Sequence, residues 1–341
     1  MTGRERILNT LEFKGTDRIP MDVWVLPAAR MEHGERLAAL QAKYADRVDI
    51  TSIVGPFDHG FTPAYYQPGE FTDPWGSVWR NLQPGVIGEV KKPVFADYAA
   101  MEGYEPPICR FQEEWAAHKE AVADQITQAR AAGKFVIGGW ISVFERMQFL
   151  RGTEELYCDI ALEEEELDRM TEIIMDFMRV YVDAWAEMDV DAIPFGDDWG
   201  TQISLLISPA VWVKRFKPLY QELIDKIHAA GKKVFFHSDG YIFDLYPHFI
   251  DMGVDAINSQ LWCMGVEKVA EKFAGKITFW GEISRQDTLP NGTAEDVKAA
   301  ARAMIRSLHV NGGGLIGQSE LNRDVPLENV EAFYQAWDQE V

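Results

Sequence analysis

The 341-residue chain is poor in cysteine, in positive charge and in long apolar runs, and each shortage excludes something. Its three cysteines, Cys109, Cys158 and Cys263, stand far apart and form no C-x-x-C pair. A sparse, odd count fits a reducing compartment and excludes a disulfide framework. Lysine and arginine total 33 against 54 acids, a net charge of −21. Basic residues cluster no further than the pairs Lys91-Lys92 and Lys232-Lys233. Such a surface repels phosphate backbones and anionic lipid, so neither nucleic acid nor a membrane is an expected partner. The longest nearly apolar run, FVIGGWISVF at 135–144, is about half of a membrane span. The opening MTGRERILNTLEFKG is charged and helical in pattern, without the apolar stretch of a signal peptide. The expected location is the cytoplasm. No fixed-period repeat or low-complexity tract occurs, and the Gly-rich NGGGLIG at 311–317 lacks a P-loop lysine.

What is present is an ordinary globular composition, 47% hydrophobic and 26% charged. Short apolar runs recur at Met21–Trp24, Val48–Val54, Phe135–Trp140, Ala192–Asp197, Val234–Asp239, Ala256–Gln260, Ile277–Ile283 and Gly314–Glu320. Most are followed by a helical stretch. Runs buried on both faces and alternating with amphipathic helices are the pattern of a parallel sheet. Eight such units predict a closed (β/α)8 TIM barrel, an α/β fold, in one domain spanning 1–341. Helix boundaries support the reading. Ser208-Pro209 supplies an N-cap and a first-turn proline before the stripe Phe216, Leu219, Leu223 and Ile227, and Gly231 is placed to end it. Thr293 with Asp296 forms a capping-box pattern.

One stretch breaks the rhythm. Eight of the sixteen prolines fall in 56–107, with Phe57, Phe61, Tyr65, Tyr66, Phe71, Trp75 and Trp79. WGSVWRNLQPGVIGEVKK reads as two strands around the Gln83-Pro84-Gly85 turn. An insertion this long after the second strand is expected on the catalytic rim, as a lid or pocket wall; a packed decorative loop is the alternative.

In a barrel the C-terminal strand ends share one mouth. Here those ends are Trp24, Asp58, Trp140, Asp197 and Asp198, His237 and Asp239, Gln260, Glu282, and Glu320. In VFFHSDG, His237 and Asp239 are two apart on a strand and face one side. Such a pair can share a divalent metal, or the acid can orient the imidazole. Glu320 or Glu282 could complete a zinc site with an open position; a structural rim histidine is the alternative. In FGDDWG, the neighbouring acids Asp197 and Asp198 could keep one proton for general acid work, bind a substrate hydroxyl, or cap the next turn. His59 lies on the insertion and is not expected in the pocket.

These motifs coincide with a known group. DRIPMDVW at 17–24, DPWGSVW at 73–79, DDWGTQ at 197–202, the long segment 208–240, GVDAINSQ at 253–260 and DVPLENVEAF at 324–333 resemble the uroporphyrinogen decarboxylase superfamily, and more closely its corrinoid methyltransferase branch. True uroporphyrinogen decarboxylases carry an Arg-rich segment near the N-terminus that grips the carboxylates of a porphyrinogen. The corresponding stretch here, MDVWVLPAAR, offers Arg30 alone. In the thiol-methylating members, zinc sits on an H-x-C pair and a late cysteine. His237 matches the histidine, Asp239 stands at the cysteine, and Glu320 falls roughly at the late cysteine.

The resemblance therefore implies a methyltransferase component acting on a small methylated donor. Carboxylates in place of thiolates make zinc a harder Lewis acid, suited to polarising an ether oxygen. An aryl methyl ether is the expected donor, with Trp24, Trp140, Trp199, Gln260 and Trp262 lining the pocket. His237, Asp239, Glu282 and Glu320 are the expected metal ligands, and Asp197, Asp198 and His237 the catalytic set. No D-x-H-x-x-G cobalamin signature is present, so the cobalamin is expected on a partner corrinoid protein. The rival expectation is a metal-free decarboxylase of the uroporphyrinogen type.

Overall fold

The computed structural model describes residues 1–57 and 63–338. Its strands in chain order are β1 (Trp24–Val25), β2 (Ile50–Ile53), β3 (Gly69–Thr72), β4 (Val78–Asn81), β5 (Glu89–Lys92), β6 (Phe135–Gly138), β7 (Ala192–Gly196), β8 (Lys233–Ser238), β9 (Ala256–Ser259), β10 (Thr278–Glu282), β11 (Leu315–Gln318) and β12 (Glu320–Leu321). Seven lie side by side in parallel, in the order β11-β10-β9-β8-β7-β6-β2. The first barrel strand closes the ring from both sides. Trp24 and Val25 pair in parallel with Glu320 and Leu321, and Met21 bridges Gly317. On its other edge, the Met21 carbonyl accepts the Asp49 N–H at 2.8 Å. The fold is the TIM barrel expected, with a strand at each of the eight apolar runs.

The runs are apolar on consecutive residues because both faces are covered. Every residue of β6, β7, β10 and β11 is buried. Inward positions alternate along each strand. Ile50, Phe135, Ile137, Ala192, Phe235, Ala256, Trp280 and Ile316 fill the interior, and Ile7 from the helix Gly3–Leu11 joins them. That plug alone is worth about 1.5–3 kcal/mol of apolar burial. Two residues further along the same strands stand His237, Asn258, Glu282 and Gln318. The barrel is therefore apolar below and polar at one end.

The Ser208 hydroxyl caps its helix, accepting the Val211 N–H at 3.3 Å. The stripe behind it is carried by two helices, Pro209–Arg215 and Lys217–Ala229, because Pro218 restarts the helix just past Phe216. Thr293 and Asp296 form the expected reciprocal capping box. No helix among the described residues is long and apolar enough to cross a membrane.

The insertion folds as an antiparallel sheet β3-β4-β5, the expected hairpin plus one strand before it. The Asp73 carboxylate organises it, accepting from the N–H groups of Trp75 (2.9 Å) and Ser77 (3.0 Å) and from Trp79 Nε1 (2.9 Å). Trp75, Trp79 and Phe95 are buried there. The sheet docks on the helix Phe144–Arg151 through Ser77 Oγ to the Phe149 carbonyl (2.8 Å) and Phe95 N to the Leu150 carbonyl (2.7 Å). Asp58, His59 and Phe61 lie outside the described residues.

Candidate active site

The site is built where β7 and β8 end. Their ladder runs Phe195 to Phe236 and Gly196 to His237. Beyond it the two chains stay laced: Asp197 N donates to the His237 carbonyl (3.1 Å), and Gly200 N donates to the Asp239 carbonyl (3.1 Å). Gly240 allows the crossing. Its φ is +79°, and a Cβ there would lie 2.2 Å from the Gly200 carbonyl oxygen. The close pass sets Asp198 beside Asp239, whose N–H donates to Asp198 Oδ1 at 2.8 Å.

His237 is oriented by a chain of amides. Asn258 Nδ2 donates to the Trp280 carbonyl (2.5 Å) and to Gln318 Oε1 (2.9 Å). A carbonyl can only accept, so the Asn258 amide is fixed with Oδ1 toward the imidazole, 2.6 Å from Nδ1. Nδ1 must then carry a hydrogen. Nε2 is left facing two carboxylates, Asp198 Oδ1 and Asp239 Oδ1, each at 3.6 Å. Asp239 Oδ1 is itself buried and receives no hydrogen bond among the described residues. Asp198, His237 and Asp239 can turn one donor atom each to within 4.8 Å of one another. One imidazole nitrogen and two carboxylate oxygens suit a divalent cation of zinc type, with a position left open.

Burial and repulsion load the site. Asp198 is pushed up to about 6, first by burial and then by Asp239. Glu282 rises to about 8, chiefly by burial. Glu145, in the first turn of the helix after β6, is driven well above the usual carboxyl range by burial, Asp198 and Asp197. Opposing these acids stands Arg285. Its Nη2 pairs with Asp239 Oδ2, its Nη1 with Glu320 Oε1 at 2.6 Å, and its Nε lies 3.7 Å from Glu282 Oε2.

An aromatic wall stands over His237. The Trp24 ring is 5.2 Å from the imidazole and 6.0 Å from Trp140, and Trp140 is 6.0 Å from the imidazole. Asp22 fixes Trp24 by accepting its Nε1 (3.2 Å) and that of Trp280 (3.0 Å). The Trp140 ring packs directly against Gly196, where a Cβ would come within 2.0 Å of it.

Residues 81–339 match the family model described as uroporphyrinogen decarboxylase (URO-D). The chain belongs to that family. Among solved structures, a methyltransferase from Methanosarcina mazei is similar over 99% of this chain and 98% of its own, with a TM-score of 0.73 at 15% identity. At that identity the likeness is one of fold. A GH113 β-mannanase from Alicyclobacillus acidocaldarius covers 94% of this chain and 98% of its own, with a TM-score of 0.42 at 11% identity. No curated protein matches the sequence.

Within this uroporphyrinogen decarboxylase fold, the expected site residues divide. His237, Asp239, Trp24 and Trp140 stand together at the mouth. Asp198 joins His237 and Asp239 directly, so it falls with the metal-type donors and not with a separate acid. Asp197 is a correction to the expected catalytic set. Fully buried, it accepts from Ser142 Oγ (3.1 Å), Val143 N (2.8 Å), Glu145 N (2.8 Å) and Tyr220 Oη (2.7 Å), and so anchors a neighbouring helix. Trp199 is a second correction. It is fully buried, stacked on Phe144 at 4.0 Å, and belongs to the core outside the strands. Glu282 and Glu320 are a third: both close on Arg285 and stay outside the donor group. Gln260 is buried and accepts from Gln202 Nε2, and Trp262 Nε1 donates to the Glu282 carbonyl (2.9 Å).

Sequence reasoning missed Asn258, Glu145 and Arg285. Asn258 and Arg285 had a usable signal, since each lies at or within three residues of a strand end. Glu145 had none stronger than an acid in a first helical turn.

Proposed function

We propose that this protein moves a methyl group from a small methylated donor, an aryl methyl ether by class, to a corrinoid held on a separate protein. The observation that carries the reading is the meeting of Asp198 Oδ1, His237 Nε2 and the unpartnered Asp239 Oδ1 under two indole rings. His237, Asp198 and Asp239 would hold a zinc-type ion. When bound, such an ion lends positive charge to an ether oxygen, which makes the aryl oxide a competent leaving group.

The residues of the chain supply the rest. Asn258 keeps the hydrogen of His237 on Nδ1, which leaves Nε2 as a donor atom. Trp24 and Trp140 offer flat apolar surface for an arene and exclude water from the side of the imidazole. Asp22 holds Trp24 by its indole N–H, so that wall is preset before any donor arrives. The 56–107 insertion is read as a further wall of the mouth. This is supported by Arg323 Nη2, which donates to the Pro84 carbonyl at 3.1 Å, and by Glu320, close enough to help burial raise the Tyr66 phenol.

The charges argue against a porphyrinogen. A polyanion needs several free cations at the mouth. Arg285 is already committed to three carboxylates, and Arg30 is exposed with Nη1 3.4 Å from Gln41. The test is metal analysis combined with turnover. Purified protein should carry about one zinc-type ion per chain. With a corrinoid protein in the cobalt(I) state it should release a phenol from 2-methoxyphenol, and His237→Ala should lose both ion and activity. Full metal retention by His237→Ala, or decarboxylation of uroporphyrinogen without added metal, would overturn the reading.

A further inference from the structure

The mouth gathers more carboxylates than a three-donor site uses. Asp198 and Asp239 each stand 3.6 Å from one imidazole nitrogen, and Asp239, Glu282 and Glu320 share one guanidinium. Left alone, such a set would close around a cation as an oxygen cage, the arrangement that calcium prefers with six to eight oxygens. One side chain prevents this. The Arg285 guanidinium is a planar fork that stays charged throughout the accessible pH range. It takes Asp239 Oδ2, Glu320 Oε1 and the neighbourhood of Glu282 Oε2 at once. The side chain is 18% exposed, so these contacts are only weakly screened.

We infer that Arg285 is the positioning residue that sets the ion preference of this site. It makes Asp239 a one-oxygen donor with Oδ1 turned to His237, and it keeps Glu282 and Glu320 out of the donor set. The inference rests on the reading of Asp198, His237 and Asp239 as a cation site. Its content is separate: the fork, not the three donors, decides between a low-coordinate ion that accepts nitrogen and a high-coordinate ion that wants oxygen. Withdrawing it frees three carboxylate oxygens next to the site and removes one positive charge. Both changes favour calcium more than zinc.

The full chain, stripped of metal with a chelator, is titrated with Zn2+ alone and with Ca2+ alone, as wild type, Arg285→Gln and Arg285→Lys. In Arg285→Gln the Ca2+ affinity should rise by roughly tenfold or more, and the zinc-to-calcium preference should fall by at least that factor. Arg285→Lys keeps the charge but cannot span three acids, so it should shift the same way by about threefold. Cobalt(II) absorption gives a readout that mere loosening would not move. The wild type should show the intense bands of a four- or five-coordinate ion, and Arg285→Gln the weak bands of a six-coordinate one. If Arg285→Gln does not fold, Arg285→Lys decides alone. Unchanged preference and an unchanged cobalt spectrum in the folded variants overturn the inference while leaving the cation site standing. A wild type that binds no Zn2+ overturns the cation site itself, and the inference with it.

Discussion

Asp197 and Asp198 are neighbours in sequence and face opposite ways. The Asp197 carboxylate points out of the barrel wall, where Tyr220 and the start of the helix Phe144–Arg151 donate to it. The Asp198 carboxylate points into the mouth beside His237 and Asp239. Alternation along an extended chain produces this split. The two alanine variants should therefore fail differently. Asp197→Ala strands several donors in the interior and should lower stability by roughly 3–5 kcal/mol in urea unfolding, while retaining bound zinc. Asp198→Ala should unfold near the wild-type midpoint but bind zinc at least about tenfold more weakly. Equal metal loss in both would refute the division.

The amide of Asn258 sets the histidine tautomer. Asn258→Leu removes the acceptor at Nδ1 and leaves the ring free to rotate. Zinc affinity should fall roughly 10–100-fold. Asn258→Asp restores an acceptor and should recover most of it. Competition against a chromophoric chelator measures both; identical losses would show that orientation of the ring is not the cause.

The contact of Trp140 with Gly196 can be broken from beneath. A Cβ at residue 196 would overlap the indole, 2.0 Å from its nearest atom. Gly196→Ala should tilt Trp140 off the wall and cost about 1–3 kcal/mol of stability. Zinc content should hold, since no donor atom moves, while binding of 2-methoxyphenol weakens. Calorimetry on the zinc-loaded variant separates the two effects.

Asp22 carries a pH signature. Burial raises its carboxyl from 3.8 to about 6, against the pull of the Val23 N–H and two indole N–H groups. A raised folded-state value means that the folded chain holds the proton longer than the unfolded one. The associated stability is complete below about pH 4 and is lost as pH rises through 6. The loss is on the order of 3 kcal/mol. Asp22→Asn cannot ionise, so the wild type should weaken relative to it between pH 4 and 6 and run parallel above. Urea midpoints across that range check it. A difference growing toward acid would reverse the sign and sink the assignment.

The cylinder was legible in the order of residues alone. Parallel strands covered on both faces must be apolar on consecutive residues, and that signal survives without any contact information. It also placed His237, Asp239, Trp24 and Trp140 at the mouth, because position along a strand fixes which end a side chain serves. What it could not decide was direction at the last residue and the partner across the barrel. Asp197 and Trp199 stand on the same strand end as Asp198 yet turn into the outer core, since alternation is only known once the strand register is known. Glu282 and Glu320 are at the mouth as expected, but Arg285 holds them. That cation stands three residues beyond one of them and thirty-five before the other. The parallel pairing of β10 with β11 brings all three together, because it sets Glu282 opposite Gln318 and so aligns strand ends that are far apart along the chain.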